Sequence, residues 1–140
     1  MKRGDSIITT HNNDLQRAQE PRRRRLVLID TCEPFCEKMK LAADQKNFDL
    51  TCFSSISDMG SVGSFTGFDV AIIEDLCGDI SGIEIGQYLE SFIPGMPMII
   101  ISSGSDPTKL ERASWPFSIR SFVHKDQGVE VILDAANNTF

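Results

Sequence analysis

No stretch of the 140-residue sequence is long and apolar enough to cross a bilayer, because the longest apolar runs, Leu26–Ile29 and Met96–Ile101, fall far short of the ~20 residues that a spanning helix needs. The opening MKRGDSIITT has no apolar secretory core, so a cytoplasmic protein is expected. Histidine is scarce, with only His11 and His124. The four cysteines, Cys32, Cys36, Cys52 and Cys77, offer one close pair at C-x3-C spacing, which is too little for a zinc centre; they read as buried thiols. There is no nucleophile elbow and no glycine-rich phosphate loop after the first apolar run. Those absences exclude the common hydrolase and nucleotide-binding signatures.

What is present describes one globular domain. Hydrophobic residues make up 41% of the chain and the net charge is −6, enough for a full core without disulfide or metal staples. The charge is unevenly spread. Residues 1–25 carry seven basic side chains against three acidic ones, a net of +4, while the remainder carries seven against 17, a net of −10. The first segment has few apolar residues and no sustained period, so residues 1–24 read as a flexible basic arm and residues 25–140 as the folded domain. The run Arg22, Arg23, Arg24 and Arg25 could clamp phosphates of a nucleotide, second messenger or RNA, or could simply be a solvated tail. The acidic body argues against duplex DNA. Body and arm could also pair across a homodimer or within one chain.

From Leu26 the pattern alternates. Short runs rich in branched residues at Leu26–Ile29, Leu50–Phe53, Val70–Ile73, Met98–Ile101 and Ile119–Val123 suit strands buried on both faces. Between and after them, helices are expected at Glu33–Lys46, Ser55–Ser64, Gly82–Phe92, Asp106–Ser114 and Val129–Ala136. Five strands alternating with five helices predict a doubly wound α/β domain, a parallel sheet with helices on both faces. Ligands of such sheets sit at the carboxyl ends of the strands. Those ends carry Asp30-Thr31, Glu74-Asp75, Ser102-Ser103 and His124-Lys125, so carboxylates, a hydroxyl and a lysine should converge on one rim. Carboxylates there could hold Mg²⁺, with Lys125 and Ser102 on phosphoryl oxygens. Taken singly, each has a plainer reading as a helix cap, turn residue or solvated charge. His124 reads as a rim residue, and Trp115-Pro116-Phe117 as either packing or an exposed aromatic contact.

Asp30 after LVLI, the stretch FDVAIIEDLCGDISG, PMIIISS and SFVHK together resemble a response-regulator receiver domain of two-component signalling, over about residues 25–137. The resemblance implies the flavodoxin-like receiver fold, with a strand-three acceptor followed eight residues later by glycine. Gly82 is the match for that glycine, which puts Glu74 at the acceptor position. It further implies Ser102 and Phe122 as the switch pair, Lys125 as the phosphate-contacting lysine, and Asp30, Glu74 and Leu76 as the set around Mg²⁺. Strand side chains alternate, so Asp75 should point away from the site unless a bulge or one-residue slip exchanges the two.

Three departures bear on the chemistry. Thr31 stands where the family has its second metal-holding acid, Glu74 is a methylene longer than aspartate, and Asp126 replaces the usual proline after the lysine, so no cis peptide is expected there. An acceptor displaced by about 1 Å can lose ~10²-fold in transfer rate, and one carboxylate fewer weakens Mg²⁺. The reading that follows is an atypical, phosphorylation-independent receiver rather than an enzyme. It would signal through its fourth and fifth helices and fifth strand to a histidine kinase, phosphotransfer protein or effector. The alternatives are a working Mg²⁺-dependent receiver using Asp75 or Glu74 and an anion effector using the arginines. With no output domain after Phe140, a stand-alone receiver would act by docking.

Overall fold

A computed structural model describes residues 23–55, 57–59, 67–77, 80–103 and 116–140. Its main sheet has five strands: β1 Arg24–Ile29, β2 Phe48–Phe53, β3 Val70–Glu74, β6 Met98–Ser102 and β7 Ile119–His124. All neighbours are parallel and the order is β2-β1-β3-β6-β7. The order reverses between β1 and β3, which opens a crevice at their carboxyl ends. A two-stranded antiparallel ladder, β4 Leu76–Cys77 with β5 Ile80–Ser81, follows β3; the sequence pattern did not signal it. The α-helices among the described residues are α1 Glu33–Gln45, α2 Gly82–Phe92 and α3 Val129–Asn137.

The expected strands are all present. β1 starts two residues before the apolar run, because pairing with β2 continues through Arg24 opposite Phe48. The expected helix at Ser55–Ser64 is a 3-10 turn over Ser57–Met59 among the described residues, where serine and glycine are poor helix formers. The expected helix Asp106–Ser114, residues 1–22 of the arm with His11 and Arg22, and Trp115 lie outside the described residues, while Arg24, taken as the arm's end, opens β1.

The core lies in two layers. On one face Leu26, Leu28, Val70, Ile72, Ile99 and Ile101 pack with Met39 of α1 and Ile132 and Leu133 of α3. On the other, Val27, Ile29, Ala71, Ile73, Met98 and Ile100 pack under Ile83, Ile85 and Leu89 of α2. Consecutive strand residues thus serve opposite layers, which is why the strands are apolar throughout. The helix faces follow the same accounting, except that Leu41 of α1, Val131 of α3 and, on α2, Tyr88 and Phe92, whose tilted rings meet at 5.0 Å, remain exposed. The cysteine reading holds only in part. Cys36 is buried and Cys52 half-buried, but Cys32, at the N-cap of α1, is exposed.

Gly82 fixes how α2 meets the strand ends. A Cβ there would lie 3.1 Å from both the Cα of Asp75 and the carbonyl oxygen of Glu74, and neither atom can rotate away. Gly86, a turn later, would meet only side-chain atoms, the end of Ile119 at 3.1 Å and the Met98 sulfur at 3.4 Å. Gly82→Ala is therefore expected to destabilise the protein by about 1–3 kcal/mol. Gly86→Ala should cost much less, because alanine's helix preference, about 1 kcal/mol over glycine, offsets the crowding. Urea unfolding of both variants checks the contrast.

Candidate functional site

The rim is built from the residues that end β1, β3 and β7. Asp30 follows β1 and is buried, with only 1% of its surface exposed. Its Oδ1 accepts from the Cys32 N–H at 2.7 Å, an Asx turn that aims the carboxylate over the start of α1. Its Oδ2 lies 2.7 Å from Lys125 Nζ. The same ammonium donates to Glu74 Oε2 at 3.1 Å. The other oxygen of Glu74 accepts twice from Thr31, from the backbone N–H at 3.0 Å and from Oγ1 at 2.8 Å. Four side chains thus form one closed group with two carboxylates, one ammonium and one hydroxyl.

Sequence placed these residues tens of positions apart; the parallel register brings them together. Ile29 pairs with Ile73, and Glu74 with Ile101, so β1 and β3 end side by side. Lys125 enters from beyond β7, its Nζ 4.5 Å from the centre of the Phe35 ring at the start of α1. Its side chain is only 12% exposed, and the aromatic face gives the cation a further favourable contact.

The electrostatics follow from these contacts. Burial pushes the Asp30 carboxyl above the ordinary aspartate range, and Lys125 and the Cys32 hydrogen bond only partly offset it. Burial also disfavours a charged Glu74, but the two Thr31 hydrogen bonds and Lys125 outweigh it, so the Glu74 carboxyl falls below the ordinary range. Burial opposes the Lys125 charge too, yet Asp30 and Glu74 hold it above the usual lysine value. By its distances the group is an ion-paired cluster. Nearby, burial pushes the Cys52 thiol up to about 12 and raises the Cys36 thiol as well, leaving both poor nucleophiles.

Asp75 directly follows β3. It is buried, its N–H donates to the Ile101 carbonyl at 2.8 Å, and its own carbonyl accepts from Gly82 at 2.5 Å, so its backbone ties β3 to the next strand and to α2. Ser102 is buried at the end of β6, opposite His124 in the register. Phe122 is half-buried on β7 with its ring edge-on to His124 at 5.2 Å. Leu76 opens β4 two residues after Glu74 and could offer a cation only its backbone carbonyl. The peptides of the described residues, including that after Lys125, are trans. Phe117 is 83% exposed, with the Arg120 guanidinium 5.6 Å from its ring centre.

The arginine run is largely engaged within the chain. Arg23 bonds Asp44 at 3.1 Å and the Phe48 carbonyl at 2.6 Å. Arg24 lies 3.8 Å from the centre of the Phe140 ring, and Arg25 lies over Phe68 and donates to the Gly67 carbonyl at 3.3 Å. These contacts tie the start of β1 to its neighbours and spread three guanidinium groups in different directions, rather than onto one anion.

No family model and no curated protein matches the sequence. Solved structures do match. A CheY-like receiver domain from Methylobacillus flagellatus superposes with a TM-score of 0.70 at 13% identity, covering 84% of this chain and 98% of that one. The chain has the fold of CheY-like response-regulator receiver domains. A second such domain, from Methanospirillum hungatei, gives 0.71 at 13% identity over 84% of this chain and 94% of its own. A response regulator from Thermotoga maritima, solved with Mg²⁺ and beryllofluoride, gives 0.70 at 13% identity over 84% and 99%. The receiver fold expected from the sequence is thus found, although at this identity the likeness is one of fold. No helix among the described residues is long and apolar enough to cross a membrane.

The Thr31 clamp is the feature that sequence reasoning missed. Thr31 counted there only as a missing acid, yet its hydroxyl and N–H together grip Glu74. The available signal was a hydroxyl residue directly after a strand-end aspartate, placed to donate twice to anything acidic on the adjacent strand.

Proposed function

We propose that this chain is an atypical receiver module of two-component or phosphorelay signalling that acts by contact with other signalling proteins, with Glu74 in the place of the phosphoacceptor. The observation that carries the reading is the Glu74 carboxylate, held by Lys125 on one oxygen and by Thr31 on the other. A phosphoryl group on an aspartate would present oxygens to the same lysine and to a neighbouring backbone N–H. Glutamate reaches toward those donors without modification. An attacking oxygen must be free and aligned, and neither oxygen of Glu74 is free, so the module is not a catalyst of its own phosphorylation. Partners would be a histidine kinase, a phosphotransfer protein or an effector. Receiver folds of this kind occur in an HD domain-containing protein from Pseudomonas fluorescens and beside a GGDEF domain in a protein from Carboxydothermus hydrogenoformans. The contact surface proposed is the side of β7 and α3, where Phe117 and Arg120 stand exposed.

Intact mass spectrometry after incubation with acetyl phosphate and Mg²⁺ tests this directly. The wild-type chain is expected to stay unmodified, as are Glu74→Ala and Asp75→Ala. A phosphoryl adduct on the wild type that vanishes in one of the two variants overturns the reading and identifies a working acceptor.

A further inference from the structure

We infer that this site works without a divalent cation, the Lys125 ammonium taking the cation's place and Thr31 closing what remains, which makes Thr31 the residue that fixes the metal-free state. The inference rests on the reading of Glu74 given above and concerns what that site can bind.

The fit of a metal can be tested on the donors. The resemblance places Mg²⁺ among Asp30, Glu74 and Leu76. Asp30 Oδ1 accepts from Cys32 N–H and its Oδ2, which has no hydrogen bond, is ion-paired with Lys125 at 2.7 Å, while Glu74 accepts from Thr31 twice and from Lys125. Mg²⁺ demands near-octahedral ligation at about 2.0–2.1 Å and gives up its waters reluctantly. It would have to evict the ammonium or break both Thr31 bonds. The ammonium is not loosely placed: it touches both carboxylates, at 2.7 and 3.1 Å, and lies 4.5 Å from the centre of the Phe35 ring. The residues present do not fit the metal.

Thr31 decides this by its chemistry. A carboxylate at position 31 would set a third negative charge beside Asp30 and Glu74, which one ammonium could not balance, and the group would recruit a dication. Threonine reverses the demand. It brings a proton to Glu74 through Oγ1 and leaves its N–H aimed at the same oxygen, so one side chain both removes a ligand and occupies another. Thr31 is in this sense a positioning residue that sets which cation the site holds.

The test uses Mn²⁺ as a spin probe for Mg²⁺, read by electron paramagnetic resonance of the free ion, on the wild type, Thr31→Ser and Thr31→Asp. The wild type and Thr31→Ser should leave Mn²⁺ free. Thr31→Asp should bind one ion about tenfold more tightly or better, since even an outer-shell change moves metal affinity by about 10–100-fold. Wild-type binding as tight as that of Thr31→Asp overturns the inference, and so does a folded Thr31→Asp no tighter than wild type. Should Thr31→Asp fail to fold, wild-type melting in Mg²⁺ and in EDTA decides: coincident curves support the inference, and a Mg²⁺-dependent rise in melting temperature overturns it. A wild type that binds Mn²⁺ but forms no phosphoryl adduct sinks this inference alone and leaves the proposed function standing.

Discussion

Lys125→Met is expected to destabilise the protein by about 3–5 kcal/mol at pH 7, the usual consequence of removing one partner from a buried ion pair. The Asp30 side chain is wholly shielded and loses the cation it pairs with, while Glu74 keeps Thr31. Methionine is unbranched and close to the lysine stem in length, so the loss reports mainly on charge rather than packing. The pH dependence has a definite sign. The folded-state Asp30 carboxyl is raised, so it favours folding at low pH and loses that contribution as pH rises through its folded value. Without Lys125 the rise is larger, and protonation relieves the variant's burden. Glu74 acts the other way: its carboxyl is lowered, so in the wild type it stabilises above the ordinary glutamate range and that contribution fades as acid protonates it. Both effects narrow the gap between the two proteins toward pH 4. Urea unfolding from pH 7 to pH 4 measures it, and a gap that widens in acid contradicts the pairing. Asp30→Asn combined with Lys125→Met should recover most of the loss, because removing both charges leaves nothing unpaired.

How much of this could be read from the sequence depends on how local the determining physics is. The strands were legible because burial on both faces forces unbroken apolar runs, and LVLI, VAII and MIII leave few other assignments. The meeting of Asp30, Glu74 and Lys125 was legible for a similar reason, since parallel crossovers bring all strand ends to one rim. What escaped depended on particular partners. That the chain would wrap Arg23, Arg24 and Arg25 onto Asp44, Phe140 and Phe68 cannot be seen in a run of four arginines. The exposure of Cys32 beside buried Cys36 follows from one being the N-cap and the other lying on the inner face of α1. Thr31 escaped for the same reason: its role exists only because Glu74, 43 residues away, ends the neighbouring strand.

If the site lost acceptance through positions 31 and 74, restoring both should return it. Thr31→Asp with Glu74→Asp is expected to form a phosphoryl adduct from acetyl phosphate and Mg²⁺ where the wild type stays unmodified, at a rate at least about 10²-fold above the wild type's detection limit, the cost of a ~1 Å misplacement recovered. The shorter side chain at 74 withdraws its carboxylate from the closed cluster and opens a path for in-line approach. The aspartate at 31 removes the hydroxyl clamp and supplies the ligand that lets a dication neutralise the incoming charge. Lys125 and Ser102 stay in place at the ends of their strands to meet the phosphoryl oxygens. Each single variant should recover far less, because Glu74→Asp alone still lacks the cation and Thr31→Asp alone still holds the longer carboxylate. Intact mass spectrometry over a time course separates the four proteins. A double variant that folds and binds Mn²⁺ yet takes no phosphate would place the block outside these two positions, and Asp126, where the family has proline, would be the next residue to restore.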